Sequence, residues 1–359
     1  MKPVEGYLEI LDKGFGFLRS LEENFQPGRR DTFVSAPLIN KLHLREGIFI
    51  QGVGVRTGAK NTNRKLETIE TINHAPLSAY ATIEPLQNQV SISPTKRFIL
   101  AQGPDDLMGR ALDMIVPVGR GQRGLIISPP KSGKTTILRH MANAISNNYR
   151  DAMVFVLLVD ERPEEVTDFK RGLKDAHVLF SSADRRIAEH MRMTRLAMHT
   201  AIRWTETGRD TVVFIDSLTR MSRAFNVKTQ SHGRTLTGGL GANALDIPRQ
   251  IFGAARNIEK GGSLTIMATI LKDTGSRMDD IIYQEFKGTG NMDLVLSRKC
   301  AEQRLWPAIH INQSGTRKED LLLTDAQYRE IVEIRRYLAP LDEVSALARF
   351  LEHLNNSPA

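Results

Sequence analysis

The N-terminal part of the chain, residues 1–74, alternates hydrophobic and polar positions over short runs. The runs fall at residues 6–11, 15–19, 31–35, 47–55 and 65–72, and glycine, asparagine and proline residues separate them. A period of two residues is typical of strands with one buried face, and the separating residues favour turns. Five short strands in a segment of this length predict a small all-β barrel of the oligonucleotide-binding or cold-shock type.

The pattern changes along the rest of the chain. Residues 75–103 contain several prolines, and we predict an ordered linker there. From residue 124 onward, continuous apolar runs at residues 125–127, 153–159, 178–180, 211–215 and 264–270 alternate with longer helical stretches. Continuous apolar runs indicate strands buried on both faces, as in a mainly parallel sheet covered by helices. We therefore predict an α/β domain over residues 104–359.

The segment after the first of these runs has the composition of a phosphate-binding loop. It reads Ser128-Pro129-Pro130-Lys131-Ser132-Gly133-Lys134-Thr135. A loop between a strand and a helix directs backbone N–H groups at phosphate oxygens, and Lys134 would reach the β- and γ-phosphates while the Thr135 hydroxyl binds Mg²⁺. The usual pattern begins with glycine, where this chain has Ser128. An ordinary strand-to-helix turn is the alternative.

Two carboxylates follow apolar runs and are candidates for binding the metal and activating water. The carboxyl ends of parallel strands meet at the edge of the sheet where ligands bind. Asp216 ends the run at residues 211–215, and we predict that it holds Mg²⁺. Glu161 follows the run at residues 153–159 and is the candidate for activating the attacking water. The alternatives are a helix cap at Asp216 and a solvated helix-start carboxylate at Glu161.

Aromatic and basic segments point to nucleic acid, with a structural alternative for each. Phe15 and Phe17 are two residues apart and so share one face of a strand, where they would stack on bases if exposed or form core if buried. Residues 231–239 and 272–277 combine glycine, hydroxyl and cationic side chains. Such loops suit a sugar-phosphate chain, and the same composition is found in ordinary surface loops.

The composition is that of a globular protein with a mild preference for anionic partners. Of 359 residues, 41% are hydrophobic and 25% charged, and 49 basic against 41 acidic residues give a net charge of +8. The longest apolar run, residues 153–159, is too short to span a membrane and the N-terminus has no apolar signal region, so we expect a cytoplasmic protein without a membrane partner. Cys300 is the only cysteine, which excludes an intrachain disulfide.

Taken together, these segments resemble the Rho family of bacterial transcription termination factors over nearly the whole chain. The resemblance rests on blocks that occur in order at residues 14–19, 119–124, 129–135, 160–166, 216–220, 236–239, 253–257, 285–292 and 314–319. It implies a RecA-like P-loop ATPase domain behind an RNA-binding barrel, assembled as a homohexamer that uses ATP and Mg²⁺. The implied activity is 5′-to-3′ translocation on single-stranded RNA, which releases transcripts from RNA polymerase and its elongation factors.

The resemblance also implies which residues act. The nucleotide-binding set is Gly119, Arg120, Gly121, Gln122, Arg123, Gly124, Lys131, Ser132, Gly133, Lys134, Thr135, Thr136, Arg162 and Trp306, the last in the place of an aromatic that stacks on adenine. The catalytic set is Lys134, Glu161, Arg162, Asp216, Arg304 and Arg317; Arg317 matches an arginine finger that reaches a neighbour's γ-phosphate, and Arg304 is a second arginine near it. Thr135 and Asp216 would hold the metal.

The implied RNA contacts fall into two groups. The primary site in the barrel comprises Gly14, Phe15, Gly16, Phe17, Leu18, Arg19, Asp31, Thr32, Phe33, Asn63, Arg64 and Lys65, and the secondary site comprises Thr235, Leu236, Thr237, Gly238, Gly239 and Arg277. Residues 63–65 replace a Glu-Arg-Tyr segment of the family, which argues against a strict preference for cytosine. Arg234 and Arg277 stand where lysines are common, so the charge is kept and its geometry changes. The family's better-known members carry a helical segment before the barrel, and this chain starts almost directly at it.

An RNA-dependent ATPase that terminates transcription is the leading hypothesis. One alternative is an RNA-binding assembly factor whose nucleotide site only organises the ring, and the candidate catalytic residues argue against it. Another is a rotary or export-type hexameric ATPase with a protein substrate, and the paired aromatic residues of the barrel argue against that class.

Overall fold

The computed structural model describes residues 1–56, 63–230, 239–241 and 243–356, without the side chains of 228–230. The strands are β1 (Lys2–Ile10), β2 (Gly16–Arg19), β3 (Thr32–Val34), β4 (Phe49–Arg56), β5 (Arg64–Ile72), β6 (Ala75–Pro76), β7 (Ser91–Ile92), β8 (Arg97–Phe98), β9 (Val118–Gly119), β10 (Arg123–Ser128), β11 (Met153–Glu161), β12 (His177–Ser182), β13 (Asp210–Asp216), β14 (Arg256–Ile258), β15 (Ser263–Leu271), β16 (Met292–Val295) and β17 (Gly315–Thr316).

Helices separate most of these strands. They are α1 (Ala36–Lys41), α2 (Leu77–Tyr80), α3 (Leu107–Ile115), α4 (Lys134–Asn148), α5 (Pro163–Gly172), α6 (Ile187–Glu206), α7 (Leu218–Gln230), α8 (Asp246–Gly253), α9 (Arg277–Lys287), α10 (Arg298–Glu302), α11 (Asp325–Leu338) and α12 (Glu343–Asn356). Short 3-10 helices lie at Leu86–Asn88, Ile311–Gln313 and Glu319–Leu321. None of the helices in the described part of the chain is long and apolar enough to cross a lipid bilayer.

The first sheet is a closed barrel, as the alternating pattern predicts. Its strand order is β3-β2-β1-β4-β5-β6, and a parallel pairing of Phe33 with Lys65 joins β3 to β5 and closes it. Burial alternates residue by residue along β4, so that one side chain in two points into the barrel core. The core is mainly aliphatic, with the ring of Tyr80, and includes Leu8, Ile50 and Leu66.

The second sheet confirms the prediction of an α/β domain. Its central order is β12-β11-β13-β15-β10-β16-β17, and all neighbours pair in parallel except β16 and β17. Eight of the nine residues of β15 are buried, because helices cover both faces. Along β10, Leu125 and Ile127 pack on the face that carries α6, while Ile126 packs on the face that carries α4.

The segment between the two domains is ordered and packs on the second. Strand β7 pairs with β14, and β8 pairs with β9. The N–H of Leu86 donates 2.8 Å to a carboxylate oxygen of Glu206 on α6. The chain therefore stays in contact with the second domain as it leaves the barrel.

Helix α6 carries the barrel along its length. Gly47, just before β4, lies so close to this helix that a Cβ on it would be 2.5 Å from the carbonyl carbon of His199, and its φ of +88° also favours glycine. Glu46 pairs with His199 at 2.7 Å and with Arg195 at 3.1 Å, and Arg45 pairs with Glu206 at 3.1 Å. The same helix packs against β11 and β13, so one rigid element supports both the barrel and the central strands.

We expect Gly47→Ala to weaken the docking of the barrel on α6. The added methyl group meets helix backbone, which cannot move aside as a side chain can, so the free energy of unfolding should fall by about 2 kcal/mol or more. Thermal and urea unfolding measure the change. Gly208→Ala is the matched control, because Gly208 has a φ of +89° and a Cβ on it would have no atom within 4 Å. Equal losses in the two variants would contradict a close interdomain contact.

Candidate active site and nucleic-acid interface

The loop between β10 and α4 has the shape that phosphate binding requires. Gly133 has a φ of +88° at the start of α4, and Lys131 also has a positive φ, of 63°. Ser132 is buried, and its hydroxyl donates 2.8 Å to the carbonyl oxygen of Pro129. The hydroxyl of Ser128 lies 3.0 Å from that of Ser132, so the serine at the first position is accommodated by a hydrogen bond inside the loop.

Trp306 lies against this loop. A Cβ on Gly133 would be 2.6 Å from Cζ3 of the indole ring, so both the space and the backbone conformation require glycine there. The tryptophan remains 41% exposed, which leaves part of the ring available to a ligand. An exposed aromatic face next to a phosphate loop is suited to stacking on a nucleobase.

Lys134, Asp216 and Glu161 meet at the carboxyl edge of the sheet. The Nζ atom of Lys134 pairs with Oδ1 of Asp216 and lies 3.8 Å from Oε1 of Glu161. The backbone at Asp160 has a φ of 58°, and a break in the β11–β12 register occurs there. This bulge carries Glu161 into the buried cluster.

The cluster shifts the acidity of its members. Burial raises the pKa of Glu161 to about 7, and the neighbouring Asp216 carboxylate adds to the shift. Burial alone would lower the pKa of Lys134, but the carboxylates of Asp216 and Glu161 overcome this effect and raise it. A carboxyl group with a pKa near neutrality is suited to accepting a proton from water.

The same residues fit a nucleotide-bound Mg²⁺. Asp216 is completely buried, and its Oδ2 atom and Oε2 of Glu161 have no hydrogen-bond partner among the described residues. Carboxylate oxygens without partners that face a phosphate loop are suitable ligands for a metal and its water shell. Thr135 is half-buried at the start of α4, next to Lys134. Thr135 and Asp216, the predicted metal-binding pair, stay a prediction that this chemistry fits.

The segment Gly119 to Gly124 lies at the opposite edge of the sheet. Gly119 and Gln122 form a turn before β10, and six strand residues at about 3.3 Å each separate this turn from the phosphate loop. Arg120 pairs with Asp210 at the start of β13, which agrees with a position at the amino edge. The structure therefore does not bring this predicted nucleotide-binding segment to the phosphate loop of its own chain.

Arg317 lies at this amino edge too. Its N–H donates 2.9 Å to the carbonyl oxygen of Asn291, which also accepts from the side chain of Gln122 at 2.9 Å. Burial and the nearby guanidinium groups of Arg256 and Arg317 lower the pKa of Arg123. The result is a cationic edge on the side of the sheet that faces away from the phosphate loop.

The remaining predicted nucleotide residues lie near the phosphate loop. Arg162 follows Glu161 directly and is exposed, and Lys131 and Thr136 are exposed on the loop and the first turn of α4. Arg304 lies two residues before Trp306 and is exposed. The structure thus places Arg304 at the loop edge of the sheet and Arg317 at the other edge, so it does not bring these two arginines together within one chain.

The barrel presents an aromatic cluster on β2, on the residue before it and on β3. The ring centroids of Phe15, Phe17 and Phe33 lie 5.5 to 5.9 Å apart, and all three side chains are half-buried. Lys65 pairs with Phe33 across the closing strands, and Asn63 and Arg64 precede it. Three partly exposed rings beside cationic side chains form a surface on which bases can stack.

The other predicted primary-site residues lie beneath this surface. The side chains of Leu18 and Thr32 are buried, and Arg19 is buried in ion pairs with Glu9 and Asp31. Gly14 has a φ of 81°. Gly16 allows β2 to approach β1, because a Cβ there would be 2.5 Å from the carbonyl oxygen of Glu9.

The predicted secondary site is described in part. Thr235, Leu236, Thr237 and Gly238 lie outside the described residues, as does Arg234. A Cβ on Gly239 would be 3.7 Å from Cε of Met278, so the described end of the first loop is next to the start of α9, where Arg277 is exposed. Both lie on the side of the sheet that carries the phosphate loop, because Leu271 ends β15 opposite Ser128.

Comparison with known proteins identifies the family. Residues 4–78 match the Rho termination factor RNA-binding domain, and residues 109–316 match the nucleotide-binding domain of the ATP synthase alpha/beta family. The chain is 44% identical over 357 residues to transcription termination factor Rho of Aquifex aeolicus, which covers 98% of this chain and 81% of the relative. The corresponding protein of Allochromatium vinosum is 45% identical, covering 96% of this chain and 82% of the relative.

The chain belongs to the Rho family of transcription termination factors.

Solved structures that share the fold of the second domain include ATPases of protein secretion systems. An ATPase from the type III secretion system of pathogenic bacteria has a TM-score of 0.63 at 25% identity, over 73% of each chain. The ATPase EscN of enteropathogenic E. coli, with its central stalk EscO, has a TM-score of 0.61 at 26% identity, over 72% of this chain and 61% of that one. The match of residues 4–78 to the Rho RNA-binding domain distinguishes this chain from the export-type alternative.

Sequence reasoning did not assign two residues that shape the active site. The Nε atom of Arg220 lies 3.1 Å from Oε1 of Glu161, and the hydroxyl of Thr269 donates 2.7 Å to Oδ1 of Asp216. Arg220 is four residues after Asp216, in the first turn of α7, and this spacing is a signal that could have been used. Thr269 lies within an apolar strand and has no local signal.

We expect Glu161→Gln to abolish most ATP hydrolysis while preserving the fold. The amide keeps the shape but cannot accept a proton, so kcat should fall by about 10² to 10⁴ in a steady-state ATPase assay. Nucleotide binding should persist, as measured by fluorescence titration. A variant with nearly wild-type kcat would exclude Glu161 as the group that activates water.

The pH dependence of stability gives a second readout for the same variant. The folded protein holds a proton on Glu161 up to a pKa of about 7, whereas an unfolded glutamate loses it near 4.5. This contribution to stability is present below the unfolded pKa and is lost as the pH rises through the folded pKa. The melting temperature of Glu161→Gln should therefore fall less than that of the unmodified protein between about pH 5 and about pH 7. Parallel curves of melting temperature against pH for the two proteins would contradict the raised pKa of Glu161.

Proposed function

We propose that this Rho-family protein is an RNA-dependent ATPase that translocates 5′ to 3′ on single-stranded RNA and releases nascent transcripts from RNA polymerase in the cytoplasm. One observation carries the proposal: a barrel with a partly exposed aromatic cluster is docked on the same helix that packs against the catalytic strands. The RNA-binding surface and the nucleotide site are therefore parts of one rigid arrangement.

The nucleotide chemistry follows from the residues at the carboxyl edge. Lys134 and the loop N–H groups bind the phosphates, Thr135 and Asp216 hold Mg²⁺ and its water shell, and Trp306 stacks on the base. When bound, the metal neutralises charge on the transferred phosphoryl group. Glu161 orients and deprotonates the attacking water.

The position of Arg317 supports assembly as a homohexamer. This arginine lies at the amino edge of the sheet, about 20 Å from the phosphate loop of its own chain along β10. It reaches a γ-phosphate only when another copy presents its phosphate loop to that edge. A head-to-tail interface that repeats in this way generates a ring when its rotation closes, and the proposed ring has six subunits. Gly119 to Gly124 lie at the same edge and face the neighbour's nucleotide in such a ring.

RNA controls hydrolysis through this interface in the proposed mechanism. The aromatic cluster of the barrel captures single-stranded RNA by stacking, and the loops near Gly239 and Arg277 contact its backbone in the centre of the ring. RNA in the centre brings adjacent subunits together and seats Arg317 on the neighbour's nucleotide. Translocation then acts against RNA polymerase and its elongation factors.

RNA stimulation of the ATPase tests the proposal. With single-stranded RNA, kcat should rise at least about tenfold, because an arginine supplied in trans stabilises the transition state strongly. Poly(C), poly(U) and poly(A) should be compared with single-stranded DNA in a coupled ATPase assay, and we expect no strict requirement for cytosine. A rate unaffected by any RNA would overturn the RNA-dependent function.

Mixing two inactive variants tests the shared site. Lys134→Ala and Arg317→Ala should each abolish hydrolysis when assembled alone. In rings co-assembled from equal amounts of the two variants, an intact Lys134 faces an intact Arg317 of the neighbouring subunit at about a quarter of the interfaces. Up to about a quarter of the wild-type rate should therefore return. If Arg317 acted within its own chain, mixing would restore nothing. Size-exclusion chromatography confirms co-assembly.

A further inference from the structure

Glu9 is a completely buried carboxylate in the wall of the barrel. It lies on β1 directly opposite Phe17 on β2, so the two side chains share one face of the sheet. Its Oε2 atom accepts from Nε of Arg19 at 2.6 Å. Its Oε1 atom lies 2.7 Å from Nε of Arg192. One carboxylate is therefore shared between two guanidinium groups.

The two arginines come from different domains. Arg19 is in the barrel, pairs also with Asp31, and lies 4.9 Å from the centre of the Phe17 ring. Arg192 is on α6 of the ATPase domain, and its side chain is 20% exposed. It also donates a hydrogen bond to the carbonyl oxygen of Phe25 in the barrel. The second domain thus contributes a charge to the ion-pair network that also holds Arg19, the residue that lies against Phe17.

The four charges balance each other. Glu9 and Asp31 carry two negative charges and Arg19 and Arg192 carry two positive charges in a space with little solvent. Asp31 is held by the N–H of Gly28 at 2.6 Å. An uncompensated charge in such a site is costly, so the loss of one member changes the position of the others.

We infer that Glu9 and Arg192 are positioning residues for the RNA site of the barrel, an inference that rests on the proposed RNA-binding function. Arg192 compensates part of the negative charge of Glu9. Arg19 therefore does not have to compensate both carboxylates alone, and it keeps its contacts with Glu9, Asp31 and the Phe17 ring. Without Arg192, Arg19 is the only cation for Glu9 and Asp31, which leaves a net negative charge beneath the surface that receives the RNA phosphates and bases. The ATPase domain in this way sets the affinity of the barrel for RNA.

Arg192→Gln in the full-length protein tests the inference. We expect the Kd for a fluorescein-labelled oligo(rU), measured by anisotropy, to rise about tenfold. Arg192 makes no contact with RNA phosphates in this scheme, so the slope of log Kd against log salt concentration should stay unchanged. Arg192→Lys keeps the charge and should recover most of the affinity.

Two further variants separate positioning from simple loss of charge or stability. Arg195→Gln is the matched control, because Arg195 is on the same helix and pairs with barrel residue Glu46 but not with Glu9; its Kd should stay within about twofold of wild type. The double variant Glu9→Gln with Arg192→Gln removes one charge of each sign and should restore affinity. Measurements are made below the melting temperature of the least stable variant.

The outcomes distinguish this inference from the proposed function. If the unmodified protein does not bind oligo(rU), the proposed function fails and the inference fails with it. If the unmodified protein binds and Arg192→Gln binds equally well, or no more weakly than Arg195→Gln, only the inference is overturned. A reduced salt slope for Arg192→Gln would make Arg192 a phosphate contact and would also overturn it. A lower melting temperature with unchanged Kd would show a purely structural role.

Discussion

The length of the central strand β10 is the constraint on which the active site depends. Its carboxyl end carries the phosphate loop, and its amino end carries the turn at Gly119 and, beside it, Arg317. A strand is stiff and fixes these two groups of residues about 20 Å apart. In the proposed mechanism each group is incomplete for catalysis by itself: one would bind phosphates and activate water, and the other would supply cationic side chains from a neighbouring copy. Assembly and catalysis would then depend on the same geometry.

Helix α6 is the second element on which the arrangement depends, because it contacts both the barrel and the central strands. It packs against β11 and β13, the strands that present Glu161 and Asp216, and it supports the barrel from Arg192 near its start to Glu206 at its end. The contacts include backbone packing at Gly47 and buried ion pairs, which need defined geometry to offset their desolvation cost. A barrel held in this way moves with the helix. The distance between the RNA-binding surface and the catalytic strands is therefore a property of the fold.

Much of the fold follows from the hydrophobic pattern, and the parts that do not have identifiable causes. The predicted runs at residues 47–55 and 65–72 correspond to β4 and β5 within two residues, because each strand buries one face. The run at residues 153–159 extends to Glu161 as β11, and the bulge at Asp160 depends on a backbone conformation that no local pattern signals. The motif at residues 128–135 predicts a phosphate loop, and a strand-to-helix loop with positive φ at Lys131 and Gly133 lies there. The separation of Arg304 from Arg317 could not be read from spacing, because β17 pairs antiparallel with β16 and returns the chain to the amino edge.

The buried carboxyl group of Glu161 is electrostatically coupled to charged residues on three neighbouring elements: Lys134 on α4, Asp216 on β13 and Arg220 on α7. Burial and Asp216 raise its pKa to about 7, and Lys134 and Arg220 oppose the shift. The proton affinity of this group therefore depends on both cations as well as on burial. In the proposed mechanism, phosphates compete with the carboxylates for Lys134, and the metal that accompanies them would supply a compensating positive charge. The candidate phosphate loop and the candidate base are thus electrostatically coupled, and both are held by strands that the barrel-bearing helix covers.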